Sequence, residues 1–440
     1  MGISTKIKPL GAVKSEVLQE EYHHAKTSSG LDMYVMPKSG YNEKYAMFAT
    51  RYGAIDTDFM LDDKSGAAST PPGVAHFLEH KLFENPKGNV FDEFAGLGAS
   101  VNAYTGYTLT SYLFSTTDNF LQCLALLLDF VMTPYFTPES VEKERGIIAQ
   151  EITMFEDEPG HRVFTNLMNA VYHVNNVREK IAGTTASIGR ITPEVLYACH
   201  QAFYHPKNMV LFVVGEVEPG EVFQLAEKQL GKTAAQKAEE NSSPVVRRIH
   251  KAEPFSVKAQ SVEMAMAVAR PLCYLGFKDN CLQNGNELLK RQLIGSLALQ
   301  ILFGKTSALY SYLYENGLID LGFGVHYTAE RNFAHAVVGG STDDPEKFAA
   351  SILKGLQKAR EKGIEREEFT KQKRKSIGGF LYAFNALDFI ASNFISIHFK
   401  GSSLFSYLDM MQEITLDDVE GYLHSQLIED NLAISTVIPM

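Results

Sequence analysis

The sequence predicts an α+β protein made of two copies of one domain. Three observations point there. Short alternating apolar segments are interleaved with longer stretches of helical period. Ile191-Thr192-Pro193 precedes Asn208-Met209-Val210-Leu211 by 17 residues, and Ile414-Thr415-Leu416 precedes Asn431-Leu432-Ala433-Ile434 by the same 17. Ser115-Thr116-Thr117-Asp118 is echoed by Gly340-Ser341-Thr342-Asp343, each between an expected strand and an expected helix. A polar stretch rich in Lys, Ala, Glu, Asn and Ser then divides the chain into domains 1–230 and 246–440, with 231–245 as linker.

The elements follow in order. Leu31–Met36 and Tyr45–Tyr52 are rich in strand-forming residues, with Lys38-Ser39-Gly40 as a turn between them. A Gly/Ser/Pro-rich loop, Ser65–Pro72, leads into a helix from Gly73. A short helix over Val90–Ala95 is followed by two antiparallel strands, Ser100–Thr105 and Ser111–Ser115. Asn119–Met132 is an apolar helix stopped by Thr133-Pro134. Thr137-Pro138-Glu139 starts another, with Thr as cap and Pro in the first turn, running to about Glu156. Asn208–Val214 reads as a strand.

Composition narrows the function. The chain has 440 residues, 45% hydrophobic and 21% charged, which is a globular balance with room for a sizeable core. A net charge of −11 and the lack of a basic run argue against a nucleic-acid partner. Apolar runs such as Met209–Val214 are too short to span a bilayer, so no membrane partner is expected. Cys123, Cys199, Cys273 and Cys281 form no Cys-x-x-Cys pair and read as reduced thiols; with no signal-peptide pattern, a cytoplasmic location is expected.

The chemistry gathers in Gly73-Val74-Ala75-His76-Phe77-Leu78-Glu79-His80-Lys81-Leu82-Phe83. At about 100° per residue, His76 and His80 lie one turn apart on one helix face, with Glu79 beside them. Two imidazoles and a carboxylate at one point suit a divalent metal with a base next to it. His-x-x-Glu-His is the zincin motif in reverse. The surrounding Val74, Ala75, Phe77, Leu78 and Leu82 indicate a buried helix, where ionisable groups need partners. Zinc in a catalytic site takes three protein ligands, so one must come from elsewhere. Glu144 and Glu151 are seven residues apart on the next acidic helix and share a face, with Ile148 between them. Periodicity does not choose between them.

His76-Phe77-Leu78-Glu79-His80, Asn102-Ala103-Tyr104-Thr105 and the Glu144/Glu151 pair together resemble the insulinase/pitrilysin family of metallopeptidases. The resemblance is to the short, processing-peptidase-like branch, where one chain is half of the full enzyme, and it covers essentially the whole chain. It implies two duplicated insulinase-type domains, each a mostly antiparallel sheet packed against helices. It implies one zinc per chain, held by His76, His80 and Glu151, with Glu79 as general base and Glu144 supporting a ligating imidazole. Asn102, Ala103 and Tyr104 would lie on the edge strand that pairs with substrate, and Phe83 beside the pocket past the scissile bond.

The expected activity is that of a zinc-dependent endopeptidase, cleaving unfolded peptides or short polypeptides held as an added strand in a chamber. The expected assembly is a homodimer or a heterodimer with a metal-free homologue. The alternative is a non-catalytic peptide-binding or assembly subunit of a heterodimeric peptidase. A register of 220 sets Leu82-Phe83 on Leu302-Phe303 and places Ser296, Leu299 and Gln300 where the first repeat has His76, Glu79 and His80, so the second domain is expected to be metal-free. The sequence also departs from the family. His80 and Glu151 are 71 residues apart, shorter than in the longer members. No glycine-rich loop stands at Gly295–Ser307, and Arg331 is the one candidate for a substrate-gripping arginine.

Overall fold

Met209–Gly215 and Asp32–Pro37 are nearly continuous apolar runs, and such runs belong in the middle of a sheet covered on both faces. The computed structural model, which describes residues 8–60, 66–86, 88–237, 246–280 and 282–440, puts them there. The first sheet has seven strands in the order Lys8–Ser15, Glu20–Lys26, Asp32–Pro37, Met209–Gly215, Lys44–Thr50, Thr110–Thr116, Ser100–Thr105. Asp32–Pro37 and Met209–Gly215 run parallel; every other pair is antiparallel. Lys8–Ser15 was not expected. Pro9 and Gly11 spoil its strand pattern, and its pairing register shifts between those two residues.

The second sheet has five strands, Ser261–Met266, Leu432–Pro439, Leu272–Asp279, Ala334–Ser341 and Gly324–Ala329. Its order reproduces the last five strands of the first, with the one parallel pair at the same place. The duplication expected from sequence is therefore real. Thr192 and Thr415 cap corresponding helices, Pro193–Phe203 and Leu416–Ser425. The other echo is out by one residue. Thr116 donates to the Asp118 carbonyl, and it is Thr342 that repeats this bond, to the Asp344 carbonyl.

The compact units are not the two contiguous segments 1–230 and 246–440. One consists of the chain to Ile152, Lys180–Ile249 and Ala383–Phe399; the other of Thr153–Glu179, His250–Tyr382 and Lys400–Met440. The expected linker begins inside a helix, Pro219–Lys237, and its remainder, 238–245, lies outside the described residues. The physical reason for the discontinuity is a pair of helices that each complete the sheet of the other repeat. Helix Pro159–Val171 carries a stripe of Val163, Leu167, Met168 and Val171, all essentially buried, against the second sheet. Gly276 makes room for it, because a Cβ there would stand 3.0 Å from the Leu167 methyls. Helix Leu387–Lys400 does the converse: the Phe394 ring stacks on Phe212 at 4.2 Å and meets Tyr34 and Tyr22 in the first unit.

Cys123, Cys199 and Cys273 are buried free thiols, and Cys281 lies outside the described residues. Among the described residues no single helix is long and apolar enough to cross a membrane.

The exchanged helix yields a direct test. Leu167→Ala empties a fully buried site and should cost about 2–5 kcal/mol in urea unfolding. Amide exchange should quicken in Leu272–Asp279 and Leu432–Pro439 before Met209–Gly215. Faster exchange in the first sheet instead would show that this helix does not complete the second.

Candidate metal centre

The motif helix spans Val74–Leu82, and its start is fixed by backbone geometry. Gly73 precedes it at φ 98°, a left-handed conformation, and a Cβ there would lie 2.6 Å from the Ala182 carbonyl oxygen. Ser187 Oγ donates to the Pro72 carbonyl at 2.8 Å, pinning the turn that passes over this entry. Val74, Ala75, Phe77, Leu78 and Leu82 are buried and anchor one side of the helix. His76, Glu79 and His80 are left half-buried on the other.

The acidic helix spans Pro138–Asp157. Thr137 Oγ1 accepts from the Ser140 amide and Ser140 Oγ accepts from the Thr137 amide, both at 3.1 Å, so its first turn is capped reciprocally. Val141, Ile148 and Ile152 bury its inner face and carry Glu144 and Glu151 to the motif helix.

There the two acids take different places. The Glu151 oxygens stand 3.6 Å from His76 Nε2 and 3.6 Å from His80 Nε2. Glu144 Oε1 is 2.9 Å from His80 Nδ1. A proton on Nδ1 donated to Glu144 leaves the Nε2 lone pair of His80 facing Glu151. Ligand atoms of His76, His80 and Glu151 all lie within 4.8 Å of one another, the one such cluster among the described residues. Glu151 Oε2 and His76 Nδ1 are buried with no hydrogen-bond partner. The unpartnered Oε2 faces His80 Nε2 and the other oxygen of the same carboxylate faces His76 Nε2; such a group calls for a cation, and two nitrogens with one carboxylate is a zinc donor set. The residues therefore fit the metal.

Electrostatics separate the two imidazoles. Burial, reinforced by His80, pushes the His76 imidazolium down to about 4, so this ring is neutral near pH 7 as a ligand must be. Burial acts on His80 in the same direction, but the hydrogen bond and charge of Glu144 outweigh it and raise its pKa. Glu144 resists burial in turn, and His80, Lys81 and Lys143 hold its carboxyl below the usual value. Burial raises both Glu151 and Glu79. A carboxylate with raised proton affinity suits a general base.

The edge of the first sheet is Ser100–Thr105, bonded to a neighbour on one side only. Asn102 and Tyr104 are exposed, and the Ala103 amide donates to Asn102 Oδ1 at 2.9 Å. Phe83 caps the motif helix and is 7% exposed. Phe91, which the sequence reading missed, is 43% exposed and stacks on Phe83 at 4.4 Å. Two further neighbours were also missed. Lys81, fully buried, pairs with Glu84. Thr105 Oγ1 donates to Glu79 Oε2 at 2.5 Å. Arg331 lies in the second unit, in the turn between Gly324–Ala329 and Ala334–Ser341.

Comparison with known proteins places the chain in a family. The family model described as Insulinase (Peptidase family M16) matches residues 66–185, and the model described as Peptidase M16 inactive domain matches 190–376. The chain is 42% identical to a Bacillus subtilis (strain 168) protein named uncharacterized zinc protease YmfH, over 98% of this chain and 99% of that one. The chain belongs to the insulinase (M16) peptidase family. A crystal structure of an M16-like peptidase from Alicyclobacillus acidocaldarius superposes with a TM-score of 0.91, at 35% identity, over 96% of this chain and 99% of that one. Pitrilysin shares the fold at 16% identity and a TM-score of 0.72, with 99% of this chain matching 47% of pitrilysin. The match to relatives named zinc proteases supports a peptidase, and supports zinc as the metal of the M16 centre.

The unequal placement of the two acids can be read out by metal titration. Glu151→Gln should nearly abolish zinc binding. Glu144→Gln should weaken it by about 10–100-fold, as expected when a hydrogen-bonding partner of a ligand is lost. His80→Ala should lose the metal and keep its circular dichroism spectrum. Full zinc occupancy in His80→Ala, or the reverse ranking of the acids, would overturn the assignment.

Proposed function

We propose that this protein is a zinc-dependent endopeptidase that cleaves unfolded peptides held as an added strand. The observation that carries the reading is the Glu151 carboxylate set between His76 and His80, its buried Oε2 beside His80 without a hydrogen-bond partner, with the Glu79 carboxylate on the motif helix beside the two imidazoles. His76, His80 and Glu151 would hold the zinc. Bound there, zinc acidifies water and stabilises negative charge on a carbonyl oxygen.

The chain's own residues do the rest. Glu79, its proton affinity raised by burial, takes a proton from the attacking water and returns it to the leaving amine. Glu144 keeps the His80 ring in one tautomer and one orientation. The free edge Ser100–Thr105 receives the peptide backbone; an incoming carbonyl would replace Asn102 Oδ1 on the Ala103 amide. Backbone pairing is tolerant of sequence, so selectivity should fall on extended conformation. Phe91, stacked on Phe83, supplies apolar surface for the residue after the scissile bond.

Glu79→Gln should retain zinc while hydrolysis of an unfolded reporter peptide falls by roughly 10²–10⁴. Unchanged hydrolysis would remove Glu79 from the mechanism. A fully zinc-loaded wild type that binds peptides and cleaves none would favour the non-catalytic subunit instead.

We further infer a two-chain assembly, a homodimer or a pair with a metal-free homologue. Its support is length: the chain matches just under half of pitrilysin. A second chain would close the zinc face into a chamber that admits peptides and rejects folded proteins. Sedimentation at micromolar concentration, with and without a candidate homologue, should show association, and activity should fall as substrates grow into folded domains. A fully active monomer that cuts native proteins would contradict this.

A further inference from the structure

The contact between Thr105 and Glu79 joins the base to the substrate edge. Thr105 is the last residue of Ser100–Thr105, directly after Asn102, Ala103 and Tyr104. Its partner across the ladder is Thr110. Thr110 Oγ1 donates to the Tyr52 carbonyl at 2.9 Å and lies 3.4 Å from Thr105 Oγ1. A hydroxyl has one proton, and Thr110 spends its proton on Tyr52. The proton on Thr105 is given to Glu79 Oε2, at 2.5 Å.

Glu79 needs such a partner. The last torsion of a glutamate is broad, so covalent geometry leaves the plane of its carboxylate free. The helix places the Cα of Glu79, and Thr105 sets the carboxylate through its hydroxyl and its backbone amide.

The second repeat makes the same comparison within one chain. Its helix Gly285–Phe303 stands against Gly324–Ala329 as the motif helix stands against Ser100–Thr105. Aligned at Leu82-Phe83 and Leu302-Phe303, Glu79 corresponds to Leu299. Strand pairing aligns the other partner: Thr105 faces Thr110 as Ala329 faces Ala334. Both members of the pair are apolar where the metal ligands are absent. Within this chain the first repeat has both the hydroxyl and the carboxylate, and the second has neither at the aligned positions.

We propose that Thr105 is a positioning residue for Glu79: its hydroxyl orients the carboxylate, and because it terminates the strand that receives substrate, a seated peptide steadies the base. The proposal rests on the peptidase reading above. Thr105→Val keeps shape and removes the hydroxyl; Thr105→Ser keeps the hydroxyl.

With zinc content measured for each variant, Thr105→Val should lower kcat for the reporter peptide by roughly 10–100-fold, the scale of a hydrogen bond to a charged group. KM and zinc occupancy should stay within about twofold, and Thr105→Ser should restore most of the rate. A second readout needs no activity. In urea unfolding of the metal-free protein, Thr105→Val should shift the midpoint in the wild-type background and shift it less beside Glu79→Leu.

Equal shifts in both backgrounds would show that no bond couples the two residues. Coupling with an unchanged kcat would make the bond purely structural, and a loss of rate that serine does not rescue would assign the effect to packing. Each of these overturns the proposal while leaving the peptidase intact. A wild type that loads zinc and cleaves no peptide removes both, even with the unfolding cycle coupled.

Discussion

The first unit is arranged around a charge problem. Glu151, Glu144 and Glu79 bring three carboxylates against two imidazoles on apolar helices. Such groups are costly to bury unless each finds a partner. Glu144 has His80, Glu79 has Thr105, and Glu151 has one oxygen with no hydrogen-bond partner. That unmet oxygen selects a cation, and much of the neighbourhood keeps it in place: the left-handed glycine at the helix entry, the Ser187 bond to Pro72, and the reciprocal cap at Thr137 and Ser140. A loose centre could relieve the charge by letting Glu151 turn to solvent. A held one cannot.

How much of this is legible in the sequence depends on the range of each interaction. His76, Glu79 and His80 can be read because helical period places them on one face within five residues. Glu144 and Glu151 can be read as a pair for the same reason, yet period alone does not say which meets the imidazoles. That took the family resemblance; in the structure it is Glu151 that stands 3.6 Å from both Nε2 atoms. Thr105 meets Glu79 across 26 residues and carries no local signal beyond ending an alternating strand. Lys81 looks like a surface residue by type and is fully buried because its ammonium reaches Glu84. The duplication was legible from repeated caps and spacings. The exchange of helices was not, since an apolar stripe says that a face is covered and not which sheet covers it.

The two repeats show how one scaffold is used with and without its chemistry. Strand order and the single parallel pair are kept. At a register of 220, Ser296, Leu299 and Gln300 align with the trio, and counted from the helix starts at Pro138 and Arg366, Glu151 aligns with Gly379. In the second unit an ion pair fastens neighbouring segments. Lys278 binds Glu253 at 2.6 Å, and Glu253 also accepts from the amides of His173, Val174 and Asn175.

The reciprocal helices also bear on how the chain is made. On a ribosome the first repeat emerges well before Leu387–Lys400, so the aromatic surface of Tyr22, Tyr34 and Phe212 waits uncovered for that helix. Pro159–Val171 emerges early and waits for strands Leu272–Asp279 and Leu432–Pro439. Neither repeat can be finished during synthesis of its own segment. The nascent protein therefore carries two uncovered apolar surfaces until Leu387–Lys400 and Leu432–Pro439 have been made.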